Sequence, residues 1–321
     1  MLATLMTIAL EARTETKRSV DSALDVRSVT KRFGDFVAVD AISFTVPRGT
    51  TCGFLGPNGS GKTTTIRMVM NITRPDTGEI AVLGEPAGEV VKKRVGYLPE
   101  EKGLYKKMKV REQLAYFGAL KGLADKAALR RADELMDEFG LGEWKARRSD
   151  ELSKGMQQKV QFLGASIHDP ELLILDEPFS GLDPVNAEVL KDAILLYRKR
   201  GKTIVFSTHV MEHAEKLCDS IVLVNKGKKV LDGTLAAVKA GAGREAVFVR
   251  YDGDGSVFSS LPMVKRANDY GKHAEIELRD GASPQDLLRA IVSRVEVRSF
   301  ESREPSLHEI FVKKVGENGG A

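Results

Sequence analysis

Gly56-Pro57-Asn58-Gly59-Ser60-Gly61-Lys62-Thr63 follows the apolar run Thr51-Cys52-Gly53-Phe54-Leu55 and leads into Thr64-Thr65-Ile66-Arg67-Met68-Val69. Three glycines in eight residues let the backbone curl so that successive N–H groups face one anion. A lysine at this spacing reaches the β- and γ-phosphates of a bound nucleotide, and the hydroxyl of Thr63 can ligate Mg²⁺. The flanks predict a strand over residues 51–55 and a helix from residue 64, whose N-terminal dipole also favours phosphate. The chain is therefore expected to bind a nucleoside triphosphate, with Gly56, Pro57, Asn58, Gly59, Ser60, Gly61, Lys62, Thr63 and Thr64 forming the cradle.

Downstream, Leu172-Leu173-Ile174-Leu175 is apolar without alternation, as expected of a parallel strand covered on both faces, and it ends in Asp176-Glu177. Asp176 is placed to hold the metal, and Glu177 to accept a proton from an attacking water. His209 follows a predicted strand over 203–207, also at a carboxyl end, where neutral imidazole can donate to a γ-phosphate. Ser153-Lys154-Gly155-Met156 opens a helical stretch, and a serine and glycine there can cap the helix or meet phosphate. His168, His213, His273 and His308 have no metal-ligand spacing and are read as structural or surface residues.

Further strands are expected over 41–46, 79–83, 94–98 and 221–224, alternating with helices. That pattern predicts an α/β domain with its ligand at the carboxyl ends of the strands. Between residues 108 and 150 the pattern turns helical, with Leu129, Ala132, Met136 and Phe139 on one stripe. A small-residue break at Lys239-Ala240-Gly241-Ala242-Gly243 precedes a second region. There Val247, Val249 and Tyr251 alternate, as do Ala274, Ile276 and Leu278. Ser283-Pro284 opens a helix through Arg294, a strand follows over 295–299, and a last helix starts near Pro305-Ser306. This predicts a small α+β domain over 244–316, after a main domain over 23–240, with flexible ends at 1–22 and 317–321.

Composition narrows the partners. In 321 residues, 49 Lys and Arg stand against 45 Asp and Glu, a surplus too thin to suggest nucleic acid. Cys52 and Cys218 exclude a disulfide framework. No window is apolar for long enough to span a membrane. Residues 1–12 are apolar, but their basic residues follow rather than precede the run. They are read as a flexible extension, with a short interfacial helix as the alternative, and not as a secretory leader.

Together these residues resemble the nucleotide-binding subunit of ATP-binding-cassette (ABC) transporters over residues 24–235. In that likeness Phe33 matches the aromatic that stacks on adenine, 56–63 the Walker A, and Leu152-Ser153-Lys154-Gly155-Met156 the signature. Asp176 and Glu177 match the Walker B and catalytic base, Ser180-Gly181-Leu182-Asp183 the D-loop, and His209 the switch histidine. The resemblance implies a P-loop ABC ATPase cassette with an inserted helical subdomain over about 108–160, plus the C-terminal α+β domain. It implies ATP and Mg²⁺ bound in a head-to-tail dimer, with a second copy or a paralogous cassette, driving separate membrane permease subunits from the cytoplasmic face. Lys62, Thr63, Asp176 and Glu100 would then surround the metal and phosphates of one copy, Ser153 and Gly155 of the signature would act across the interface, and Asp183 would belong to the nucleotide-binding set.

Three positions depart from the family pattern: Glu100 replaces a glutamine, Lys154 a glycine, and Met156 a glutamine. Tyr97-Leu98-Pro99-Glu100-Glu101 and the C-terminal region resemble a bacterial ABC-2-type exporter subset, in which residues 102–117 would face the permease. The alternative reading is an ABC ATPase acting in translation or resistance without transport. Against it stand a single cassette and the absence of a coiled-coil or zinc insertion.

Overall fold

A computed structural model describes residues 22–101, 103–241, 246–303 and 305–318. The expected N-terminal extension to residue 21, the break at 242–245, Lys102, Glu304 and the last residues 319–321 lie outside the described residues. The chain divides into two compact units, residues 1–234 and 235–321.

The first unit opens with β1 (Ser22–Phe33), which begins one residue inside the expected extension, and β2 (Phe36–Pro47). It continues through β3 (Thr51–Leu55), α1 (Lys62–Val69), β4 (Thr77–Val82), β5 (Glu85–Pro86), α2 (Glu89–Lys92) and β6 (Val95–Leu98). Helices α3 (Val110–Leu120), α4 (Asp125–Glu138) and α5 (Lys154–Ser166) follow. Then come β7 (Leu172–Leu175), α6 (Pro184–Lys199), β8 (Thr203–Thr208), α7 (Met211–Leu217), β9 (Ser220–Asn225) and β10 (Lys228–Thr234).

These strands form two sheets. One has the order β2-β1-β4-β5, and the other β10-β9-β3-β8-β7-β6. In the second sheet β9, β3, β8, β7 and β6 run parallel, and β10 is an antiparallel edge. All four residues of β7 are buried, as its unbroken apolar run predicts. Leu24, Val26 and Phe44 of the first sheet share a core with Phe54, Ile174 and Val205 of the second and with Ile66 and Met68 of α1. The two layers therefore clamp α1, and with it the end of the glycine-rich loop.

In α4 the buried residues are Ala128, Ala132, Leu135 and Met136, so the expected Ala132 and Met136 are in the core, while Leu129 and Phe139 are half-buried. The two sets overlap on one face, and where α4 packs on α3 its buried centre includes Ala128 and Leu135 as well. Helix α5 runs to Ser166, with Val160, Phe162 and Leu163 buried along it.

The second unit consists of α8 (Leu235–Gly241), β11 (Ala246–Asp252), α9 (Ser256–Ser259), β12 (Val264–Asp269), β13 (His273–Leu278), α10 (Pro284–Ile291), β14 (Glu296–Arg303) and α11 (Leu307–Asn318). Its antiparallel sheet has the order β12-β13-β11-β14. Val247, Val249, Tyr251, Ala274 and Ile276 pack against Leu287 and Ile291 of α10. Ser283 Oγ caps α10 by accepting from Gln285 N–H at 3.1 Å. That helix ends at Ile291, short of Arg294, in a turn where Arg294 N–H donates to the Ile291 carbonyl. Helix α11 reaches Asn318, inside the segment expected to be a loose tail. Among the described residues no helix is long and apolar enough to cross a membrane.

Candidate functional site

Parallel register brings the sequence-predicted residues to one edge. Leu55 pairs with Thr208, Leu175 with Phe206, and Leu98 with Leu175. The residues that follow β3, β7, β8 and β6 therefore emerge side by side.

The glycine-rich loop closes on Gly61, the N-cap of α1, at φ 103°. A Cβ there would stand 2.6 Å from the Ala38 carbonyl oxygen of β2, so both conformation and space demand glycine. The helix starts at Lys62, two residues before the expected point. The buried Lys62 ammonium does not extend outward. It donates to the carbonyls of Gly56 at 2.8 Å and Pro57 at 3.1 Å, and lies 3.3 Å from Glu177 Oε1.

Asp176 is fully buried. Its Oδ1 accepts from Ser207 Oγ at 2.6 Å and from Thr63 Oγ1 at 3.4 Å. Burial raises the Asp176 carboxyl above its ordinary value, while the Ser207 and Thr63 hydroxyls pull it down. Glu177, also buried, has φ 47°, a left-handed conformation that costs a non-glycine residue about 1–3 kcal/mol. Its amide donates to Ser207 Oγ at 2.8 Å, and its Oε2 lies 3.1 Å from Nδ1 of the half-exposed His209.

The donor set suits a hard divalent cation. Asp176 Oδ2 is buried without a hydrogen-bond partner, and the Thr63 hydroxyl is beside the same carboxylate. Among the described residues there is no group of three or more His, Cys, Asp or Glu side chains able to cage a metal. An ion here would take most of its ligands from water and phosphate, as Mg²⁺ does.

Other predicted residues stand apart. Glu100 is exposed just beyond β6. Phe33 is exposed at the β1–β2 hairpin, with the Lys31 ammonium 5.7 Å from its ring centre. Phe36, its cross-strand partner, is equally exposed, and sequence reading passed over it. Ser153 caps α5 by accepting from Met156 N–H at 3.3 Å, with Lys154 exposed beside it. Asp183 caps α6, accepting from the Asn186 amide at 3.0 Å and from the Asn186 side chain. These two caps meet each other: a Cβ on Gly155 would lie 2.3 Å from Asn186 Cγ. No hydrogen bond or ion pair among the described residues joins Ser153, Gly155 or Asp183 to the Lys62–Glu177 cluster.

Ser207 was not foreseen. The available signal was a hydroxyl residue at the end of an otherwise apolar strand, two positions before His209.

Comparison with known proteins assigns the class. Residues 39–180 match the family described as ABC transporter, and residues 233–315 the one described as ATP-binding protein DrrA1-3-like, C-terminal domain. The ABC transporter ATP-binding protein YhaQ of Bacillus subtilis is 41% identical over 293 residues, covering 91% of this chain and 98% of that protein. This chain is an ABC transporter ATP-binding protein. The Nod factor export ATP-binding protein I of Rhizobium sp. is 36% identical over 301 residues, 92% of this chain and 97% of its own length. Among solved structures, an ATP-binding subunit of an ABC transporter aligns with a TM-score of 0.63 at 31% identity, covering 68% of this chain and 93% of that one. CbiO1 of Clostridium perfringens, part of the cbiONQ ABC transporter complex, aligns at 0.62 and 25% identity, covering 68% and 91%. As an ABC transporter subunit the chain is an ATPase coupled to transport, and its class works with membrane components, generally as dimers.

Proposed function

We propose that this ABC subunit hydrolyses MgATP at two composite sites of a head-to-tail dimer and thereby drives a separate export permease at the cytoplasmic face of the membrane. The observation that carries the catalytic part is the Lys62–Glu177–His209 cluster, at the strand ends beside Asp176. Loop amides from Gly56 to Thr64 bind the phosphates. Lys62 exchanges its loop carbonyls for β/γ-phosphate oxygens and offsets their charge. Glu177 orients the attacking water and takes its proton, and His209 holds the γ-phosphate side of that water through hydrogen bonds. Thr63 and Asp176, with Glu100 at the rim, would hold Mg²⁺, which neutralises phosphate charge when bound. Phe33 stacks on the adenine.

The separation of Ser153, Gly155 and Asp183 from this cluster supports placing them against the nucleotide of the other copy. An export role is supported by the likeness to Nod factor export proteins and by the match of the C-terminal unit to the DrrA1-3-like family. Mixing inactive copies tests the composite site. Lys62→Ala and Ser153→Arg proteins, each without turnover, should regain up to about a quarter of the activity when mixed in equal amounts, because about half of the dimers are then mixed and each of those has one of its two sites intact. No recovery at any mixing ratio would contradict the head-to-tail arrangement.

A further inference from the structure

Ser207 sits near the end of β8, and its side chain is fully buried. Both partners of its hydroxyl come from the adjacent strand end: it donates to Asp176 Oδ1 at 2.6 Å and accepts from Glu177 N–H at 2.8 Å. One hydroxyl has one proton and two lone pairs, so giving the proton to the carboxylate leaves a lone pair for the amide. The amide it receives belongs to the residue at φ 47°, a backbone state that side-chain-bearing residues keep only where surrounding contacts impose it. The same strand, two residues on, delivers His209 Nδ1 to Glu177 Oε2.

We propose that Ser207 is a positioning residue for ATP hydrolysis, clamping the Glu177 backbone and the Asp176 carboxylate in the geometry the reaction uses. The proposal rests on the reading of Glu177 as the base. Among the described residues no hydrogen bond joins the Ser207 side chain to the loop or to Lys62, so its loss acts on turnover more than on nucleotide capture. Removing the hydroxyl strips the Glu177 amide of its acceptor and Asp176 of its shortest donor. Glu177 is then free to leave the left-handed state and to lose its alignment with His209.

Steady-state ATPase kinetics on Ser207→Ala and Ser207→Thr, with and without Glu177→Gln, test this. Ser207→Ala should lower kcat roughly tenfold, the worth of one hydrogen bond to a charged group, and move KM for ATP by less than threefold. Ser207→Thr, which keeps the hydroxyl, should retain kcat to within about threefold. In a Glu177→Gln background the alanine change should cost clearly less than in the wild type, because the part that acts through Glu177 is already lost and only the part through Asp176 remains. Ser166→Ala, which removes an equally buried hydroxyl that donates to the Leu163 carbonyl, should leave kcat unchanged.

Wild-type kcat in a folded Ser207→Ala protein would overturn the proposal. So would an additive loss on top of Glu177→Gln. Should Ser207→Ala fail to fold, a tenfold kcat loss in Ser207→Thr would overturn it equally. If Glu177→Gln itself turns over like wild type, the reading of the base fails, a result distinct from the failure of the Ser207 clamp.

Discussion

Lys62 Nζ and Glu177 Oε1 lie 3.3 Å apart with both side chains buried, so the phosphate-binding lysine and the candidate base form an ion pair. The pair joins the start of α1 to the end of β7. Breaking one half of a buried pair leaves an uncompensated charge.

Lys62→Ala should therefore lower stability by on the order of 3 kcal/mol in addition to abolishing ATP binding. Combining it with Glu177→Gln should restore part of that loss, giving a coupling of at least about 1 kcal/mol in urea denaturation. Strictly additive losses would show that the two charges do not stabilise each other.

The signature glycine carries a second expected effect. Gly155→Ala places a methyl where Asn186 sits, 2.3 Å from Cγ, and forces that side chain off Asp183. Stability should fall by about 1–2 kcal/mol, as for other over-packed sites, and ATPase activity should fall with it. Adding Asn186→Ala should recover stability in thermal unfolding. If Gly155→Ala unfolds like wild type, the two caps do not pack as described.

His168 should make stability depend on pH. Burial pushes its pKa down to about 4, with its Nε2 bonded to the Val95 carbonyl at 3.2 Å. The unfolded chain takes up this proton near pH 6.5, whereas the folded one resists it until about 4, so stability is lost as pH falls through that window. Between pH 7 and pH 5 the loss should reach about 2 kcal/mol in urea midpoints. His168→Gln keeps a donor for Val95 and should flatten this part of the profile; an unchanged slope would exclude His168 as its source.

The second unit has its own core of Val247, Tyr251, Ile276 and Leu287. A protein ending at residue 234 should therefore still bind ATP with affinity within about threefold of the full chain. An insoluble product, or loss of nucleotide binding, would contradict that independence.

The sequence revealed most where chemistry is local. The loop at 56–63 is a continuous motif, and Leu172–Leu175 announces its own burial, so strand, loop and carboxylates could be placed without structure. Contacts between distant segments were harder to read. Ser207 becomes meaningful only when β8 pairs with β7 and its hydroxyl meets Asp176 and Glu177, 31 and 30 residues away. The inward curl of Lys62 and the approach of Asn186 to Gly155 likewise depend on tertiary packing. In α4 the periodicity marked Ala132 and Met136, while the burial of Ala128 and Leu135 on the same face became clear only from its packing on α3. The antiparallel sheet was only partly visible, because β1 mixes buried and exposed residues and carries register shifts that blur its alternation.

The central claim, that Glu177 is the base of a composite ATP site, is tested most directly by the Glu177→Gln protein. Incubated with ATP and Mg²⁺, it should run as a dimer with ATP retained in size-exclusion chromatography, its turnover at least a hundredfold below wild type. A monomer hydrolysing ATP at the wild-type rate would contradict the account.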